Sequence, residues 1–274
     1  MATTAPSAGP ARPSGHLVAS AALIAALLTA AGVCWLLNVR MWLDMGNGPG
    51  TMGFGLAGFI GFWTTMMAAM MLPSATPTAT LYLRTVRARS SGSVRLARTA
   101  ALVCGYLTVW AGSGVAAYFA AWGASRLALN EPTIARWTAA AALVAIGAYQ
   151  LSPIKDRCLS HCRSPLGFLM HVGNFRGRTR DFKTGAYHGA FCLGCCWSLM
   201  AIFIVVGVMN LAWMVALAAV IALEKLWRYG PELSRAVGIA LVGLAFFVPW
   251  NPSLVPGMYV DPDRPPMMMR MNDR

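Results

Sequence analysis

The sequence predicts an all-α fold, a polytopic membrane helix bundle of about seven transmembrane helices. Three observations predict it. Of 274 residues, 57% are hydrophobic and only 11% are charged, against about 25% charged in an ordinary soluble domain. The mean hydropathy is +0.57, and a water-soluble chain of this length needs far more polar surface to cover its core. The charged residues are clustered, leaving apolar runs of about 20 residues, enough to cross a ~30 Å hydrocarbon layer as helices. Soluble enzymes, disulfide-stapled secreted modules and outer-membrane barrels are excluded, since a barrel strand alternates apolar and polar residues rather than running apolar.

Residues 1–15 are rich in Ala, Pro, Ser and Gly and are expected to form a disordered tail. The transmembrane domain is expected over residues 16–250, with a Pro- and Met-rich carboxyl-terminal tail at 251–274. The first run, residues 17–37, is too long for a signal-peptide core and lacks a cleavage site before Arg40, so it reads as a retained span. Residues 40–50 read as a polar link. The second run, residues 56–83, carries Pro73 and Pro77, which are expected to kink it or end it early. Residues 100–122 and 134–151 make the third and fourth spans, and residues 152–184 a polar loop. Residues 185–223 would be ~60 Å long as one helix, twice the membrane thickness. A turn is therefore expected at Gly207 and Asn210, giving spans near 185–206 and 209–224. Residues 236–250, ended by Pro249 and Pro252, make the seventh.

The net charge of +13 raises nucleic acid as a partner, but the placement of the charge argues against it. Arg84, Arg87, Arg89, Arg95 and Arg98 form one basic segment between apolar runs. Lys155, Arg157, Arg163, Arg176, Arg178, Arg180 and Lys183 form another. Basic segments between spans are what the positive-inside bias produces. The expected partner is the lipid bilayer, in a multi-pass protein of the cell membrane. A cytoplasmic amino terminus puts Arg12, both basic segments, Lys225, Arg228 and Arg235 inside. Arg40, Arg126, Arg136, Arg264, Arg270 and Arg274 then lie outside with the carboxyl terminus.

Two cysteines, Cys34 and Cys104, sit alone in apolar runs, where a free Cys behaves as a small hydrophobe. The other five are concentrated. The fifth span opens with His188, Cys192, Cys195 and Cys196, which share one helix face roughly 100° wide. Imidazole and thiol are ligands that Zn(II) and Cu(I) prefer, and four on one stripe exceed what packing explains. Upstream, Cys158, His161 and Cys162 form CLSHC, its cysteines one helical turn apart. Cys192 and Cys195 have CxxC redox spacing, but Cys196 and the histidines are surplus to such a motif.

A second soft-ligand group is Met66, Met67, Met70 and Met71, of which Met66 and Met70 share a face. Thioethers suit Cu(I), although Met is also an ordinary core filler. Met258, Met267, Met268, Met269 and Met271 in the tail suggest extracytoplasmic metal capture, because an exposed Met has no core to fill. Glu224 either faces the bundle interior or pairs with Lys225 at the interface.

Residues 63–73 (WTTMMAAMMLP), 149–165 (YQLSPIKDRCLSHCRSP) and 185–200 (GAYHGAFCLGCCWSLM), followed by GVMNLAWM and Glu224, carry a resemblance. They are similar to the bacterial predicted metal-binding integral membrane proteins (domain of unknown function 2182), over roughly residues 55 to 228. The resemblance implies association with a metal, in places described as copper chaperoning, and Cys158, Cys162, His188, Cys192, Cys195, Cys196 and Glu224 match motif positions.

These observations lead to the expectation of a membrane protein handling copper first and zinc second, binding the ion or passing it to a membrane or extracytoplasmic protein without a chemical reaction. A membrane thiol oxidoreductase using Cys192, Cys195 and Cys196 and an accessory subunit of a larger membrane complex are the alternatives. The fifth span is expected to supply two or three ligands and CLSHC the rest, through Cys158 or Cys162. Arg157, Arg163 or Lys183 is expected to offset the thiolate charge.

Overall fold

In the computed structural model, residues 15–45, 50–87, 92–172 and 175–259 are described. They form α1 (Gly15–Met45), α2 (Leu56–Arg87), α3 (Gly92–Asn130), α4 (Pro132–Gln150), α5 (Pro153–Arg163), α6 (Pro165–Val172), α7 (Arg180–Val206), α8 (Leu211–Leu226) and α9 (Gly230–Phe247), with no strand among the described residues. The all-α bundle is as the composition predicts. Each of the seven apolar runs falls mainly within a helix, though the last of these helices ends at Phe247, before Trp250.

Among the described residues five stretches, rather than the seven expected, are long and apolar enough to cross a membrane unaided: Ala19–Asp44, Leu56–Thr85, Ser93–Asn130, Arg180–Val206 and Gly230–Phe247. The α4 and α5 pair makes a sixth candidate, bent by 58° at its break. At 16 residues, α8 is only ~24 Å long, short of the full hydrocarbon thickness.

Several local expectations need correction. Arg40 and Asp44 belong to α1, so the polar link begins later than expected. Pro73 and Pro77 do not end α2, which runs unbroken through both. A helical proline deprives the carbonyl four residues earlier of its partner. For Pro73 that carbonyl is Ala69 O, and the indole Nε1 of Trp35 on α1 donates to it at 3.1 Å. Thr76 and Thr80 hydroxyls also donate to α2 carbonyls, of Leu72 and Pro77. The expected polar loop at 152–184 is mostly helix. Ser152 caps α5 by accepting from the Lys155 backbone N–H, Pro153 opens it, and Asp156 sits in its first turn.

The turn expected between the fifth and sixth runs is present. Gly207 adopts φ +96°, open to a residue without a Cβ, and Asn210 caps α8 by accepting from Trp213 N–H at 3.3 Å. After α9 the chain returns to the end of α7, where Gly257 N–H donates to Val205 O at 3.0 Å. Met258 is buried there in the core, contrary to the expectation of an exposed thioether. The amino-terminal tail and Met267, Met268, Met269 and Met271 lie outside the described residues.

The core is built on α2, α3 and α7. Closest approach is between α3 and α7, through the small-residue pair Gly185 and Gly189. A Cβ at Gly185 would stand 1.8 Å from Leu102 O, so only glycine lets these backbones meet. That contact lays the His188–Cys196 stretch of α7 against Tyr106 of α3.

Candidate metal centre

Cys192, Cys195 and Cys196 lie on the buried face of α7. The stripe seen in the sequence explains why: in the first half of α7 the buried face carries Thr184, Gly185, His188, Gly189, Cys192, Cys195 and Cys196, and in the second half larger apolar residues such as Leu199, Ile202 and Phe203. The last turn of α5 then delivers Cys162, whose Sγ lies 3.7 Å from Cys195 Sγ. Cys195 Sγ is 3.3 Å from Cys196 Sγ and donates to Cys192 O at 3.2 Å. Cys192 lies one turn earlier on the same buried face of α7. Four sulfurs from two helices thus form one cluster.

A cation closes it. Lys225, near the end of α8, is buried. Its Nζ donates to Cys192 Sγ at 3.1 Å and to Ser74 Oγ at 3.3 Å, with Met71 Sδ at 3.9 Å. The Tyr106 hydroxyl lies 3.0 Å from the same Cys192 sulfur. Sequence reasoning assigned charge compensation to Arg157, Arg163 or Lys183 and missed Lys225. Its signal was there: Glu224 and Lys225 are the charged residues of an otherwise apolar helix.

Arg163 instead donates to the carbonyls of Glu224 (2.5 Å) and Trp227 (2.7 Å), fastening α5 to the end of α8. Glu224 faces inward, as one of the two expectations had it, but its partner is Lys155 rather than Lys225. Lys155 Nζ donates to both carboxylate oxygens at 2.8 and 2.9 Å, with side-chain exposures of 0% and 1%. Gln150 joins this pair, donating to Glu224 and accepting from Lys155. The ion pair fixes α5, and with it the position of Cys162.

The remaining sequence candidates lie around the cluster. Cys158 has no hydrogen bond to the other thiols among the described residues and packs its sulfur against Gly194, where a Cβ would come within 2.9 Å of it. His188 is buried and stacks on Tyr106, centroids 5.6 Å apart. His161 stacks on Phe191 at 4.1 Å. Met66 and Met70 are buried in the core. It is Met71, one position on, that reaches the cluster through Lys225.

The donors are soft, as a Cu(I) ligand set should be. In a tetrahedral site with metal–sulfur bonds of about 2.3 Å the sulfurs stand about 3.8 Å apart, close to the 3.7 Å between Cys162 and Cys195. The pairs are near, but a common centre is not formed: among the described residues no group of three or more His, Cys, Asp or Glu side chains is arranged to hold a metal ion. The thiols are turned to one another, to Tyr106 and to Lys225. To hold an ion together they would have to release protons and turn toward a common centre.

The architecture is thus an all-α bundle whose helices, several long and apolar enough to cross a membrane, surround a buried cluster of thiols. Residues 60–248 match the model of the PpoB2 copper chaperone family, and the chain belongs to that family. The matched region runs from α2 to the end of α9 and contains every residue of the cluster. The family description names copper and lends no support to zinc. No curated protein and no solved structure matches the chain.

Proposed function

We propose that this copper chaperone carries Cu(I) inside the membrane bundle, held by thiolates drawn from Cys162, Cys192, Cys195 and Cys196. Two thiolates and one Cu(I) carry a net charge of −1, and the Lys225 ammonium brings the buried site to neutrality. Such balance matters where the dielectric is low. The observation that carries the reading is the approach of Cys162 on α5 to Cys195 on α7 beside Lys225. Neither CLSHC nor CLGCC forms that cluster alone.

The bundle lies in the cell membrane with its amino terminus cytoplasmic and its carboxyl terminus outside. Copper leaves to a membrane or extracytoplasmic protein partner by thiolate exchange, without a chemical reaction on the chain. Purified full-length protein titrated with Cu(I) against a competing chelator tests this. Loss of one Cu(I) equivalent, the one whose binding weakens as pH falls, in the Cys195→Ser, Cys196→Ser double variant supports it. Protein that takes up no copper and instead contains a reducible disulfide among these cysteines overturns it in favour of a thiol oxidoreductase.

A further inference from the structure

We infer that the bundle holds a second soft-cation site, built from thioethers rather than thiols, in a small cavity between α1, α2 and the α7–α8 turn. The cavity has a volume of about 10 Å³ and is lined by Met66, Met209 and Met214 together with Asn38 and Trp42. All three methionines are buried. Asn38 is 4% exposed. Its amide N–H donates to Cys34 O at 2.7 Å, while its Oδ1 is buried with no hydrogen-bond partner among the described residues. A buried acceptor left unpaired is costly, and Asn38 is among the residues that line the same space as the three methionines.

The chemistry of the lining selects the occupant. The space is the size of one atom-sized guest. Besides Asn38 and Trp42 the lining is apolar or thioether, with Phe62, Val208 and Leu211 completing it, whereas a buried water needs two to four polar partners. A monovalent soft cation, Cu(I) or its surrogate Ag(I), is the guest suited to a space lined by three thioether residues and an asparagine. Hard ions are refused by the same ligands. Met214 and Lys225 are eleven residues apart on α8, so the cavity lies about 16 Å along that helix from the thiol cluster. Met67, Met70 and Met71 occupy α2 alongside, buried. The site therefore stands one stage away from the thiolates, at the end of the bundle opposite α5.

A thioether has no proton to lose, and this separates the two sites experimentally. Binding to thiolates weakens as pH falls, because protons compete for the ligands. Binding to thioethers does not. Full-length protein in detergent is titrated with Cu(I) alone at neutral and mildly acidic pH, as wild type, as Cys195→Ser with Cys196→Ser, and as Met66→Leu with Met214→Leu. Expected are two equivalents in the wild type. The Cys variant keeps a single equivalent that is insensitive to pH, and the Met variant keeps only the pH-sensitive one. Met→Leu conserves volume, and retained thiol-site binding shows that the variant is folded. The inference is overturned if the Cys variant binds no copper, or if its residual equivalent survives when Met66→Leu and Met214→Leu are added. It does not depend on the thiol site: pH-independent copper lost only in the Met variant would stand even if the cysteines bound none.

Discussion

An ammonium group withdrawn into a helix bundle is costly unless acceptors surround it, and Lys225 has a thiol, a hydroxyl and a thioether at its Nζ. Replacing it removes the charge that offsets a copper–thiolate centre. Truncating one partner of a buried charge pair costs ~2–5 kcal/mol, so Lys225→Met should weaken Cu(I) binding about 30-fold or more at ~1.4 kcal/mol per decade. Chelator competition measures it, and wild-type affinity in that variant removes Lys225 from the site. Trp35 acts on stability instead. Trp35→Phe leaves Ala69 O without the indole donor that replaces the N–H missing at Pro73, at a cost of ~1–3 kcal/mol. Thermal unfolding in detergent should shift downward while copper affinity holds. Lysines of this kind are poorly legible in a sequence. Lys155 and Lys225 look like solvated or interfacial charges until helices 69 and 33 positions away supply Glu224 and Cys192.

The elements were legible to different degrees for a physical reason. Apolar runs on α1, α2, α3, α4, α7, α8 and α9 announce themselves because burial in lipid needs continuous hydrophobicity. The polar segment at 152–184 hid two helices, since its charges and prolines mimic a loop. The capping pattern Ser152, Pro153, Asp156 was the available signal. The α7 face was readable from spacing, and the choice between Cys158 and Cys162 was not, because it depends on how α5 is fastened. That fastening is testable. Glu224→Gln leaves Lys155 buried beside an uncharged partner and should destabilise the protein by ~3–5 kcal/mol. Adding Lys155→Met should recover part of the loss, read by thermal unfolding, and a double variant worse than the single contradicts the ion-pair account. Between α3 and α7, Gly185→Ala forces a methyl towards Leu102 O. Lowered thermal stability together with impaired Cu(I) binding is expected, because the same contact positions Cys192 beside Tyr106.

At the scale of the whole molecule, the charge distribution and the helices bear on one topology. Reporter fusions after Arg98 and after Arg264 should report opposite sides of the membrane, and finding both on one side contradicts it. Within that frame α5 and α7 would together contribute thiolates to a single copper site. Ligands of one ion are energetically coupled, whereas independent positions add. The most direct measurement is a double-mutant cycle on Cu(I) affinity with Cys162→Ser, Cys192→Ser and both together, with Cys158→Ser as the neighbouring control. The account predicts that each of the first two weakens binding, that their combined loss is clearly smaller than the sum of the separate losses, and that Cys158→Ser binds copper like the wild type. Full affinity in Cys162→Ser, or strict additivity of the two losses, would contradict it.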